Sequence, residues 1–235
     1  MILDSTMVSN KIPKVHFSWS YGARFGGPAP GMKKAIEQSG YDENEFDILA
    51  FFGFPSQPYP YRRRGAVTLR AGLDVDVSPN WRSGVHFSKS TPLEMVGSSG
   101  VSETVHRSSW EFMMTWVKRP YKKGFTRRTE WAASMGMSLN TLTARTNVPV
   151  FDMNYSQYVN TGVTAAGNFK KIRPGVVLRG SYDRYYTKNL SLHCAIESRI
   201  MPSLKVGQTG TFRPLKAHAL NFSSIDASIG LRLHL

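Results

Sequence analysis

Apolar and polar residues alternate one by one through most of this chain, and the clearest case is Ile225 to Leu235 (IDASIGLRLHL). Ile225, Ala227, Ile229, Leu231, Leu233 and Leu235 alternate with Asp226, Ser228, Gly230, Arg232 and His234. Successive side chains of a strand point to opposite faces, so one face is apolar and the other polar and partly ionised. The same grammar predicts strands at Val15 to Phe25, Val67 to Val77, Trp81 to Ser90, Glu103 to Val117, Arg128 to Asn140, Gly175 to Tyr186 and Leu190 to Ile200. Val67–Val77 and Trp81–Ser90, joined by Ser78-Pro79-Asn80, form the clearest hairpin. Thr187-Lys188-Asn189 is a second short turn, and it should lie at the same end.

The connections at the other end are long: Gly26–Gly65, Thr141–Arg173 and Met201–His218. The first holds a short helix over Met32–Ser39, where Met32, Ala35 and Ile36 share a face, and an aromatic, Pro-rich run closed by Arg62 to Arg64. In Thr141–Arg173 the apolar residues fit helical spacing and strand alternation about equally, and a long loop with a helical or irregular segment is expected. The reading is all-β: residues 15–235 form one eight-stranded antiparallel barrel behind an N-terminal extension, 1–14.

Whether lipid or water touches the apolar faces decides the rest. Globular strands usually have five or six residues, whereas a tilted membrane strand needs about 9–11, which most of these meet. Trp81, Trp116, Tyr121, Phe125, Trp131 and Tyr186 gather near the short-turn end, where amphipathic rings favour the membrane interface. The second face carries both signs of charge: Arg24, Arg70, Asp74, Asp76, Arg82, Glu111, Glu130, Arg179, Asp183, Glu197, Arg199, Asp226 and Arg232. Eight strands leave an interior only wide enough for side chains, so these ions should pair there and close the lumen. The expectation is a transmembrane β-barrel with ionised rows turned inwards. A soluble barrel with solvated charges is the alternative.

The long-stranded pattern, the Val67–Ser90 hairpin with its SPN turn and the terminal IDASIGLRLHL resemble the small outer-membrane β-barrels of Gram-negative bacteria, of the OmpA-transmembrane-domain and OmpX type. The resemblance implies the bacterial outer membrane as location, lipopolysaccharide or phospholipid as the surrounding partner, and a structural or accessory role. Other outer-membrane subunits could meet the long loops. The opening MILDSTMVSNKIPK lacks the charged start and apolar stretch of a signal peptide, so an exported chain is expected to begin near its mature end.

The formal charge is +14, from 30 Lys and Arg against 16 Asp and Glu. Lys118, Arg119, Lys122, Lys123, Arg127 and Arg128 flank one short turn, and Arg62 to Arg64 with Lys170, Lys171 and Arg173 lie in the long loops. On a membrane barrel they suit lipid phosphates; on a soluble one they would suit nucleic acid, which is not expected here.

Chemistry is thinly represented. Outer-membrane lipid A deacylases use a His-x-Ser pair with a distant Glu, and His86-Phe87-Ser88 with Glu94 or Glu103 has that spacing, but Lys89 follows where Asn is expected. Val-His-Phe-Ser recurs at Val15 to Ser18, which marks it as strand grammar. Ser191, His193 and Glu197 share a second inward face. No catalytic residue is assigned, and a non-enzymatic chain without cofactor is expected. The six histidines show no ligand spacing for a metal, and the single Cys194, on an apolar face, reads as a small hydrophobe.

Overall fold

A computed structural model describes residues 15–40, 67–97, 100–118, 129–154, 157–211 and 214–235. Eight strands close on themselves: β1 (Val15–Gly26), β2 (Val67–Ser78), β3 (Trp81–Ser90), β5 (Ser102–Lys118), β6 (Thr129–Asn154), β7 (Gln157–Tyr185), β8 (Leu190–Ile200) and β11 (Ser224–His234). Neighbours are antiparallel in the order β3-β2-β1-β11-β8-β7-β6-β5, and β3 pairs with β5 to complete the ring. Closure leaves no free edge, which is the condition for strands to cross hydrocarbon. The eight-stranded ring is the one the alternation predicted, and the terminal strands meet along a register that sets His16 opposite His234 and Arg24 opposite Asp226.

Polarity is inverted relative to a water-soluble barrel. Trp19, Phe112, Met137 and Ile196 are more than half exposed, while Arg82 and Glu111 are 1% and 0% exposed. The outward row on β6 runs Trp131, Met135, Met137 and Leu139; on β11 it runs Ile225, Ile229, Leu231 and Leu233. An apolar belt around the whole ring is far larger than a water-soluble monomer presents. Lipid is therefore the outer solvent, and the soluble-barrel alternative, with its nucleic-acid reading, does not fit.

The largest departure from the sequence reading is at 141–173. Among the described residues there, no helix forms. β6 and β7 continue as strands of 26 and 29 residues, paired from Thr129↔Arg184 to Asn154↔Gln157. A span needs about 9–11 residues, so both project well beyond the lipid. β4 (Leu93–Val96) pairs with β5 and carries the track of β3 past Ser90.

Above the belt the inner face of the projecting strands turns apolar and holds a second core. Val101, Val105, Leu142, Ala144 and Val148 pack with Leu93, Met95, Met201 and Phe222, and with the β9 (Leu204–Val206)–β10 (His218–Leu220) hairpin. The helix α1 spans Ala29–Gln38, three residues earlier than the pattern suggested, and buries Ala29, Met32, Ala35 and Ile36 against it. Pro28 at its N-terminus is compatible with a first turn that needs no N–H. Gly31 lets the helix approach β10, since a Cβ there would sit 2.9 Å from the Ala219 carbonyl oxygen. Together these elements form an apolar cap over the loop end of the ring.

Candidate functional site

The lumen is the most chemically unusual region, and the strand period builds it. Every inward position of β2 from Thr68 to Asp76 is polar or glycine, and β7, β8 and β11 contribute Arg179, Asp183, Glu197, Arg199, Asp226 and Arg232 at the same parity. Seven buried arginines (Arg24, Arg70, Arg82, Arg107, Arg179, Arg199, Arg232) face seven carboxylates (Asp74, Asp76, Glu111, Glu130, Asp183, Glu197, Asp226) among the described residues, while Arg173, opposite Asn140 at the cap boundary, is half-buried and its Nε has no hydrogen-bond partner. The charges of these fourteen side chains balance, so this set adds nothing to the +14 excess of the chain.

At the centre, Arg199 Nη2 donates to Glu111 Oε1 at 2.5 Å and to Glu197 Oε1 at 2.7 Å. Arg179 Nη2 donates to Glu111 Oε2 and Glu197 Oε2, both at 2.7 Å, and Arg70 Nη2 lies 2.6 Å from Glu197 Oε2. Ser88 Oγ donates to Glu111 at 2.7 Å, and Asn140 Oδ1 accepts from Ser109 Oγ at 2.7 Å and Arg199 at 3.0 Å. Each carboxylate thus has several charged or hydroxyl donors, which is what a buried ion requires.

Nearer the short turns, Arg232 bridges Asp183 at 2.5 Å and Asp74 at 3.5 Å, and Arg82 binds Glu130 and, at 2.8 Å, Asp76. Nearer the cap, Arg107 donates to Asp226 at 3.0 Å and to Ser224 at 3.2 Å, while Arg24 lies 3.4 Å from Asp226. Gly72 and Gly84 make room for this packing; a methyl group at Gly84 would overlap the Asp74 carboxylate, and one at Gly72 the His86 ring.

The hydrolase candidates are drawn into the same network. His86 Nε2 sits 2.9 Å from Asp74 Oδ1, and Ser88 is bonded to Glu111, so the two do not act on one another. Glu103 is buried in the cap and held by His218 Nε2 at 3.0 Å; Glu94 lies on β4. Ser191 is hydrogen-bonded not to His193 but to His234 Nε2 at 2.8 Å, and His193 Nδ1 meets Asp183 at 3.0 Å. His234 in turn meets His16 through their Nδ1 atoms at 2.8 Å, and His16 Nε2 lies 3.1 Å from Asp76. A hydroxyl beside an imidazole could form a nucleophile, but Ser191 is fully buried. The His16–His234 contact and Arg107 are not singled out by the sequence pattern; the pairing of the terminal strands creates the first, and carrying the parity of Glu111 back along β5 reaches the second.

Of the aromatics expected at the membrane interface, Trp81, Trp116, Trp131 and Tyr186 are exposed. Lys118 is exposed at the end of β5. Tyr121, Phe125, Arg119, Lys122, Lys123, Arg127 and Arg128 lie outside the described residues, as do residues 1–14 and Arg62 to Arg64. Cys194 is a free thiol on β8, and among the described residues no cluster of potential ligands could hold a metal.

Outside the lipid belt, the imidazole of His218 is pushed above its ordinary pKa: burial opposes its charge, but the Glu103 carboxylate outweighs it. His106 is held below its ordinary value by burial and by the nearby cations Lys89 and Lys170.

No family model matches the sequence, and no curated protein matches it. Among solved structures, the chain is similar to the N-terminal β-barrel domain of Pseudomonas aeruginosa OprF, at 8% identity and a TM-score of 0.42, over 96% of this chain and 100% of that one. It is also similar to Ail, the attachment invasion locus protein of Yersinia pestis, at 6% identity and a TM-score of 0.35, over 93% and 96% of the two chains. At such values the membrane location follows from the closed ring and its apolar outer belt.

Proposed function

We propose that the chain is a non-enzymatic, non-conducting barrel of a bacterial outer membrane, a structural or accessory component that presents its projecting cap to a partner or to the cell surface. One observation carries the reading: seven arginines matched to seven carboxylates fill the lumen beneath an apolar cap. A permeating ion would have to displace buried, multiply bonded pairs, each costly to separate. Specific recognition then falls to the parts outside the lipid, where β5, β6, β7 and the β9–β10 hairpin make the largest feature among the described residues.

Planar-bilayer recording of the purified, refolded chain tests this. Folded protein, recognised by a heat-dependent shift in gel mobility, should give no steady conductance. Stable open channels would overturn the closed-lumen reading, and a chain that stays soluble and monomeric without detergent would overturn the barrel's membrane role.

A further inference from the structure

On the outer face, four residues beyond Trp110 on β5 and Leu139 on β6, the apolar belt gives way to a basic cleft. Its register is fixed: His106 pairs with Thr143, which pairs with Lys170, and Thr104 pairs with Arg145 on the same face. These residues, with Asn168 and the apolar Pro92, Val105, Ala144 and Phe169, line a cleft of about 430 Å³. The Thr143 hydroxyl and His106 Nδ1 are hydrogen-bonded, which fixes the ring in the cleft wall. Lys89, beside Ser108 in the β3–β5 register, and Lys170 are both close enough to act electrostatically on His106. No ion pair to Lys89, Arg145 or Lys170 is formed among the described residues. Glu94, opposite Thr104, is a carboxylate on this face, and three cations outnumber it.

Each of the seven buried lumen arginines has a carboxylate partner; here Arg145 and Lys170 line one cleft with Lys89 close by, and none of the three is ion-paired among the described residues. Directly beneath, Trp110, Leu139 and Ile172 are 53%, 49% and 60% exposed and face hydrocarbon. A largely apolar cleft edged by cations, on top of an apolar strip, matches an amphiphile with a phosphate at its polar end. We propose that this cleft binds the phosphate of an anionic lipid, with Lys89, Arg145 and Lys170 as its ligands, Thr143 as a hydroxyl partner, and the acyl chains lying along Trp110, Leu139 and Ile172. The proposal rests on the membrane reading and gives it a specific lipid site.

Native mass spectrometry of the full chain in a non-ionic detergent provides the test, with dioleoyl phosphatidic acid as the probe and zwitterionic, net-neutral dioleoyl phosphatidylcholine as the comparison, which should bind more weakly to the parent chain. The triple variant Lys89→Gln, Arg145→Gln, Lys170→Gln should bind phosphatidic acid on the order of 100-fold more weakly, from about fivefold per charge. A charge-matched triple, Lys33→Gln, Lys34→Gln, Lys205→Gln, should stay within about twofold of the parent chain. Equal losses in both triples, or none in the first, would overturn the site. Sodium phosphate displacing the lipid at equal concentration would show a free-anion site and overturn the lipid assignment. The heat-dependent mobility shift is read in parallel: its loss in the parent chain would sink the membrane reading instead. Should only the triple lose it, Lys170→Gln alone, with a fivefold loss expected and no loss overturning the site, decides the matter.

Discussion

Asn140 and Leu142 point to the same side of β6, two residues apart, and both are completely buried, yet one is bonded to Ser109 and Arg199 and the other is sealed among Val105, Ala144 and Val148. The boundary between lumen and cap falls between them. Leu142→Ala should destabilise the cap by about 2–5 kcal/mol, the usual cost of a large-to-small change in a core. Protease sensitivity of 201–223 should rise while the heat-dependent mobility shift persists. Asn140→Leu should instead weaken the barrel, since it strips an acceptor from Arg199 and a donor from the Arg173 carbonyl.

Arg199 joins Glu111 to Glu197. Arg199→Leu leaves both carboxylates with fewer buried partners and should cost about 3–5 kcal/mol. Combining it with Glu111→Leu should recover part of that loss, because both signs of charge are then removed. Urea titration, read by the fraction of heat-shifted protein, measures each step; a double variant less stable than the sum of the singles would contradict the pairing.

Two glycines make a matched comparison. Gly84→Ala would push a methyl group into Asp74 and disturb its contacts with His86 and Arg232, at about 1–3 kcal/mol. Gly180→Ala meets nothing within 4 Å on the outer face and should stay within about 0.5 kcal/mol of the parent. The same urea titration checks both.

The His218–Glu103 pair ties the β9–β10 hairpin to β5. Because the folded-state pKa of His218 is raised, the tie is at full strength below the unfolded value of about 6.5 and is lost as pH climbs through the raised value. Hydrogen exchange of 204–220, corrected for its intrinsic pH dependence, should be slower at pH 6 than at pH 8.5. His218→Gln should abolish the difference.

The barrel was legible because lipid-facing strands announce themselves by strict alternation, as from Trp131 to Leu139. Beyond Asn140 the alternation continues but its sense reverses. Outward Thr143 and Arg145 are polar, and inward Leu142, Ala144 and Val148 are apolar, because the outer solvent is now water. A change of phase within one strand imitates the end of a strand, which is why 141–173 suggested a loop or helix. On β7 the same reversal lies between Ile172 and Phe169. The lumen ions could be read from parity alone, but their partners could not, since Arg107–Asp226 and Arg179–Glu111 join strands that are far apart in sequence.

That reversal of phase also sets the depth at which the molecule floats. Sinking would carry Thr141, Thr143 and then Arg145 towards acyl chains, and the cost of a guanidinium on the lipid face climbs from about 0–1 kcal/mol near the interface to about 2–4 kcal/mol at mid-bilayer. Rising by as much would strand Trp131 and Met135 in water. The barrel is therefore held at one level in the membrane, and whatever meets the cap meets it at a fixed distance above the lipid.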